Sequence, residues 1–358
     1  MGRALRGAGV MDLGGMPLAG LIAIFVVAAG LVWVGGTRLA VLGDEIAGRW
    51  NLAREFVGLI FLATVTEFPE IVTTVTAARV DNAALVLGNL FGGISINTAI
   101  LAVTDFFAVR YALTSWPRKP THALVAVMLI VLLSALLSIT LIGDVTLFGG
   151  VGVAAIFLAL GFPLVIGLQR SFDSRSTWAP VDLPEDIDRG VILRARESFD
   201  GQSTVFLCGK AVLYSVLILI CGVALALSAD QLAVKTGVGA SFLGVTLLAA
   251  ATSLPELSTT LAAARIGAYT MAIANVFGSN LIMLALILPA DIAYGGSPIL
   301  SEAGVAAQFS IATGILVTAI YVAGILIRRT PSFLGAGLDS WLVMTVYLGS
   351  LAGLFFLS

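Results

Sequence analysis

Two short stretches, Thr66-Glu67-Phe68-Pro69-Glu70 and Thr252-Ser253-Leu254-Pro255-Glu256, place carboxylates, hydroxyls and a proline inside segments otherwise made of apolar residues. In each, a threonine precedes a glutamate by four residues, the spacing that puts two side chains on one face of a helix. The proline between them has no amide hydrogen for the carbonyl four residues earlier, that of Val65 or Ala251, and its ring pushes the helix apart there. Carboxylates, hydroxyls and released carbonyls are all hard oxygen donors. Two such clusters facing each other suit calcium, sodium or magnesium and hold little attraction for copper or zinc. No histidine or cysteine lies near either stretch, in keeping with that preference.

The segments that carry these groups are built for lipid. Of 358 residues, 59% are hydrophobic and only 11% charged, a balance that excludes an ordinary soluble domain. A carboxylate at the centre of a bilayer costs roughly 2.5 to 3.5 kcal/mol, so matched pairs of them point to use rather than accident. Apolar runs of about 20 residues, enough to cross the hydrocarbon core, fall near residues 17–41, 56–78, 83–109, 121–142, 145–168, 203–228, 241–264, 268–290, 302–327 and 338–357. The expected fold is therefore all-α and integral to the membrane, with ten transmembrane helices. A first span this long, with no clear cleavage site after a short apolar region, is expected to stay in the bilayer.

Sidedness follows from the basic residues. With ten spans, one face collects Arg38, Arg49, Arg54, Arg110, Arg118, Lys119, Arg170, Arg175, Arg189, Arg194, Arg196, Lys210, Arg265, Arg328 and Arg329, and the other keeps Arg3, Arg6, Arg79 and Lys235. Positive charge is retained in the cytoplasm, so both termini are expected outside a cell membrane crossed many times, with residues 169–202 cytoplasmic. The net charge of −2 identifies no partner, and nothing suggests nucleic acid. The expected partners are inorganic cations and the bilayer itself, with a monomer an open possibility.

Sliding the chain on itself by about 186 residues lays residues 56–92 on 242–278 without a gap. Phe56/Phe242, Gly58/Gly244, Ala63/Ala249, Thr66/Thr252, Pro69/Pro255, Glu70/Glu256, Thr73/Thr259, Thr74/Thr260, Arg79/Arg265, Asn89/Asn275 and Gly92/Gly278 coincide, and Asp44 falls in register with Asp230. Each half holds five expected spans, an odd number, so the second copy enters the membrane with opposite orientation. Arg79 and Arg265 occupy equivalent places yet fall on opposite faces, as inversion demands. The domains read as a first five-helix repeat over 1–168 (motif 56–97), a polar linker over 169–202 and a second, inverted repeat over 203–358 (motif 242–283).

The helix after each motif adds amides and small residues: Gly88, Asn89, Gly92, Gly93 and Asn97 in the first copy, Asn275, Gly278, Ser279 and Asn280 in the second. The glycines read as a seam of close helix packing, while Asn89, Asn97, Asn275 and Ser279 divide between interhelical hydrogen bonds and ion coordination. Cys208 and Cys221 share one expected span and read as small apolar filler rather than a disulfide. His122, beside Lys119 at a membrane edge, reads as a solvated loop residue.

With these residues in hand, the chain resembles the cation/calcium antiporter superfamily, closest to its sodium/calcium exchanger branch, over both halves. That family carries two inverted repeats with a Gly-Thr-Ser-Leu-Pro-Glu type signature followed by a helix bearing Gly-Asn and Gly-Ser-Asn. Thr252 to Glu256 reproduce the second signature, with Ala251 in the glycine's place and Asn275, Gly278, Ser279 and Asn280 following; Thr66, Pro69, Glu70, Asn89 and Gly92 carry the first. The resemblance implies calcium ligands from the carboxylates of Glu70 and Glu256 and the carbonyls of Thr66 and Thr252. It implies sodium ligands from the carbonyls of Ala63 and Ala249, the hydroxyls of Ser253 and Ser279, and the side chain of Asn97. Glu67 stands where the family has serine, Gly93 where it has another serine, and Met283 where it has a polar or acidic residue. The Gly-Asn-Ala-Thr-Glu signature of the proton/calcium branch is absent.

The expected function is that of a secondary antiporter, not an enzyme, exchanging Ca2+ for Na+ by alternating access, with no cofactor beyond the transported ions. A proton-coupled divalent-cation antiporter is the alternative, because Glu67 adds a third carboxylate whose proton occupancy is linked to the other two. A channel would pass ions faster than any conformational cycle. An intramembrane hydrolase needs two acids sharing a proton and an activated water, which leaves the matched hydroxyls and broken backbone of both copies without a purpose.

Overall fold

The computed structural model describes residues 13–357 apart from 14, 110, 118, 148–149, 176–198, 237–248 and 329–330. Helix α1 (Leu18–Arg49) is followed by α2 (Arg54–Thr66) and α3 (Phe68–Ala78), which meet at a bend of 47°. Then come α4 (Ala83–Ala108), α5 (Thr121–Ile142), α6 (Val153–Arg175), α7 (Thr204–Lys235), α8 (Leu254–Arg265), α9 (Tyr269–Tyr294), α10 (Val305–Ile327) and α11 (Leu338–Leu357). A two-residue hairpin, β1 (Ser332–Phe333) and β2 (Ala336–Gly337), precedes α11. Among the described residues eight helices are long and apolar enough to cross a membrane, and the bent α2–α3 pair makes nine. The expected seventh span, 241–264, is described only from residue 249 onward, its first part lying outside the described residues.

Helix starts follow local chemistry. Pro17 precedes α1 in extended backbone; Asn82 caps α4 by accepting the amide of Leu85 at 3.1 Å, and Ser203 caps α7 through Phe206 at 3.2 Å. Several ends depart from the expected spans. Both α1 and α7 run on to 32 residues, past Asp44 and into the register of Asp230, because hydropathy marks only the lipid-crossing part of a helix. Arg54 clamps the extension of α1 by pairing with Asp44. Helix α6 starts late because Thr146 and Gly152 first form an antiparallel bridge, with Leu147 donating to the Val151 carbonyl, and it continues to Arg175, inside the stretch expected as linker. Residues 176–198 of that linker lie outside the described residues. His122 is a correction: α5 begins at Thr121, so the histidine sits in a packed first turn and is buried rather than solvated. Both cysteines are free thiols.

The core sits around α4 and α9, the most deeply buried of the apolar helices, enclosed by their neighbours. Helix α1 packs along α7 and against α8; α10 fills the space between α4, α5 and α11. Two loops are tied to the core by matching acids. Asp105, near the end of α4, accepts the amides of Leu113 at 2.6 Å and Gly337 at 2.7 Å. Asp291, 186 residues on, accepts those of Ile299 at 2.6 Å and Gly152 at 2.7 Å. Each carboxylate thereby holds a short 3-10 turn, Leu113–Ser115 or Ile299–Glu302, and one distant loop.

Candidate cation-binding site

The regular hydrogen-bond ladder stops at Glu67 N–H to Ala63 O (3.1 Å) and resumes with Ile71 N–H to Glu67 O (2.9 Å). In the second copy it stops at Ser253 N–H to Ala249 O (3.0 Å) and resumes with Leu257 N–H to Ser253 O (3.0 Å). Between these points the carbonyls of Val65, Thr66, Ala251 and Thr252 leave the ladder. Helices α3 and α8 begin immediately after, each with its proline and a glutamate, Glu70 or Glu256, in the first turn. Such an N-terminus carries about half a positive charge and welcomes a carboxylate. The end of α2 presents carbonyls, the negative end, to the same place. A break of this kind is tolerated at membrane depth only where it is enclosed by protein or faces a cavity.

Upstream of the first break, Val57–Leu62 is wound as a π-helix, a local widening that recurs at functional sites. This turn lies directly on α9. A Cβ on Gly58 would run into the Met271 carbonyl, and one on Gly278 into the Leu59 carbonyl. These two glycines form the close seam; of the glycines singled out in sequence, Gly278 lies in it and Gly93 faces Met283, whereas Gly88 and Gly92 have no described neighbour within 4 Å of such a Cβ.

The fold brings Glu67, Glu70 and Glu256 together. One oxygen from each lies within 4.8 Å of the others, and all three residues are fully buried. None of their six carboxylate oxygens has a hydrogen-bond partner, and no Lys or Arg is buried among the described residues. The neighbours cross between the copies: Glu70 lies beside Thr252, Glu256 beside Thr66, and Glu67 beside Ser279 and Asn97. The Ser279 hydroxyl and the Asn97 amide oxygen are likewise buried without partners. Three unneutralised carboxylates at this separation repel one another strongly in a low dielectric, so the arrangement demands positive charge among them. Unpaired hard oxygens in that number fit a divalent cation of the calcium type.

Other candidates take supporting places. Thr66 and Thr252 turn their hydroxyls back to Ala63 O and Ala249 O, both at 3.2 Å, leaving their own carbonyls for a ligand. Ala63 is buried, Ala249 half-buried, and Ser253 buried at the second break. Asn275 donates to Thr259 Oγ1 (3.1 Å) and Thr260 Oγ1 (3.0 Å), bracing α8 against α9 rather than reaching the carboxylates with its amide nitrogen. Thr259 in turn bonds the Pro255 and Glu256 carbonyls, as Thr73 bonds those of Pro69 and Glu70. Asn89 is half-buried, and its amide nitrogen has no partner. The residues that sequence reasoning missed are Asp105 and Asp291; their signal was their register, which lies beyond the end of the gapless alignment at Gly92.

Comparison with known proteins shows the family. The family described as sodium/calcium exchanger protein matches residues 20–165 and 209–356, most of both halves. The chain belongs to that family. It is 27% identical over 270 residues to "Putative antiporter CaxA" of Alkalimonas amylolytica, spanning 75% of this chain and 79% of that one. Among solved structures it superposes on the sodium-calcium exchanger NCX_Mj soaked with 10 mM Na+ and zero Ca2+, with a TM-score of 0.70, 18% identity and coverage of 94% of this chain and 99% of that one. The same protein soaked with 2.5 mM Na+ and 0.1 mM Sr2+ gives a TM-score of 0.69 at 16% identity, over 94% and 99% of the two chains. At such identities the likeness establishes the fold. The chain is thus an all-helical, multi-pass membrane protein of a cation-exchanging antiporter family.

Proposed function

We propose that this exchanger moves Ca2+ against Na+ across the cell membrane by alternating access. The observation that carries the reading is the buried carboxylate triad at two broken helices, with no buried basic side chain among the described residues to neutralise it. In this reading the chain has ten transmembrane helices in two inverted repeats, 1–168 and 203–358, with both termini outside and the 169–202 segment in the cytoplasm. Glu70 and Glu256 hold Ca2+ together with the carbonyls of Thr66 and Thr252. The carbonyls of Ala63 and Ala249, the hydroxyls of Ser253 and Ser279 and the Asn97 side chain take part in the sodium-loaded state, and Glu67 lies between the two sets. All these groups come from one chain, so a monomer is a complete transport unit, and no cofactor is involved.

Occupation by Ca2+ and by the counter-ion are mutually exclusive because both need the same carboxylates, and that exclusion is what couples their opposite movements. Movement of one helix group against the rest, around a fixed site, then exposes it to either side. The test is calcium flux in proteoliposomes under imposed sodium and pH gradients, with Glu70→Gln and Glu256→Gln beside the wild type. Gradient-driven calcium movement that survives both substitutions would sink the assignment. One observation favours a second reading: Glu67, a third carboxylate in the cluster, offers a proton carrier, making the counter-ion H+. Replacing sodium by an impermeant cation at fixed pH abolishes exchange in the first reading and spares it in the second.

A further inference from the structure

The two copies of the repeat contribute unequally to the surroundings of the triad. Glu67 lies beside Ser279 and Asn97. Shifted by the repeat interval, these three positions become Ser253, Gly93 and Met283. Each exchange removes oxygen: a carboxylate becomes a hydroxyl, a hydroxyl becomes a hydrogen, and an amide becomes a thioether. The structure shows how the last two fit together. A Cβ on Gly93 would stand 2.5 Å from Met283 Cε and 2.9 Å from its Sδ, so the methionine occupies the space that a side chain at 93 would claim. Met283 is buried, and its sulfur lies 3.9 Å from the Asn97 amide nitrogen. The thioether therefore lies where the depleted group meets Asn97 of the oxygen-rich one.

We propose that Met283, seated on Gly93, is an apolar plug that makes the site one-sided: counter-ions load on the Glu67, Ser279 and Asn97 flank, and the opposite flank takes none, which removes the Ser253 hydroxyl from the sodium-loaded set given above. This rests on the exchanger reading and its inverted repeats. A thioether offers a hard cation almost nothing and excludes the water that would otherwise hydrate it there. Met283 thus sets how many counter-ions compete with each Ca2+, and with it the charge moved per cycle.

The test is equilibrium Ca2+ binding to the purified full-length protein in detergent, titrated with Na+ and, separately, with pH. The apparent Ca2+ dissociation constant plotted against counter-ion activity, both logarithmic, has a slope equal to the number of competing ions. In wild type the slope is about one; in the Gly93→Ser, Met283→Asn double variant, which restores donors to the second flank, it rises towards about two for Na+. Met283→Asn alone gives the same trend if the double variant fails to fold. A wild-type slope as steep as the double variant's, or variants that bind Ca2+ with an unchanged slope, overturns the plug and leaves the exchanger reading standing. Wild-type protein whose Ca2+ binding responds to neither Na+ nor pH overturns both.

Discussion

Substituting Gly278 by alanine tests whether contact between α2 and α9 sets the geometry of the site. The added Cβ would stand 2.8 Å from Ala63 Cβ and 2.9 Å from the Leu59 carbonyl carbon. Carbon atoms rest at about 3.5 to 4.0 Å, so the two helices must part by roughly 0.7 to 1.2 Å. Neither obstacle is the end of a flexible side chain, so the backbone itself has to move, at an overpacking cost of about 1 to 3 kcal/mol. Calcium tolerates oxygen distances only between about 2.3 and 2.6 Å, and a displacement larger than that window, applied next to Ala63 and Ser279, spoils the cage. Gly278→Ala should lower the thermal midpoint in detergent and cut Ca2+ flux in proteoliposomes by at least about tenfold, the effect of 1.4 kcal/mol. Gly349→Ala, in α11 with nothing within 4 Å, is the control and should lose neither. A Gly278→Ala protein with wild-type flux and wild-type midpoint would refute the reasoning.

Glu70→Gln and Glu256→Gln should each weaken Ca2+ binding by about 10- to 150-fold, the loss of one charged contact of roughly 1.5 to 3 kcal/mol, read by calorimetry. Glu67→Ser separates the two coupling schemes: if the counter-ion is a proton, acidification should weaken Ca2+ binding in wild type and do so much less in the variant, whereas under sodium coupling it is the competition by Na+ that should weaken in the variant. Asp105→Asn and Asp291→Asn each turn an amide NH2 towards one of two backbone donors, so each should destabilise the fold by about 2 to 4 kcal/mol. Their thermal midpoints should fall while Ca2+ affinity of the folded fraction stays near wild type. Thr259→Val removes an acceptor of the Asn275 amide, freeing the start of α8; flux should drop further than Ca2+ affinity, and equal loss of both would argue against a bracing role.

The spans were legible because hydropathy is a local property, but their ends were not. The polar end of α1 stays helical through contacts such as Arg54 with Asp44, made by residues ten apart, and Arg49 with the Phe199 and Gln202 carbonyls, which no window reports. The carboxylate pair was legible because a proline and an acid recur at the repeat interval. Meeting of Glu67 with Ser279 and Asn97 was not, since it depends on how two broken helices cross. The π-helical turn has no residue signature; it answers to the glycines of α2 and α9 meeting backbone to backbone. Met283 could be noticed as a departure from its family, yet its seat on Gly93 exists only in three dimensions.

The crossed pairing of the copies, Glu70 beside Thr252 and Glu256 beside Thr66, bears on ancestry. Neither half assembles a cluster by itself, so a free-standing half would have to work as a pair of identical chains about a two-fold axis. Identical chains present identical patches at equivalent positions. In such a dimer Glu67 would have had a twin, putting four carboxylates in one cavity, and a methionine at one flank would have been a methionine at both. In one polypeptide that constraint does not hold, since residues 67 and 253, or 93 and 279, can differ.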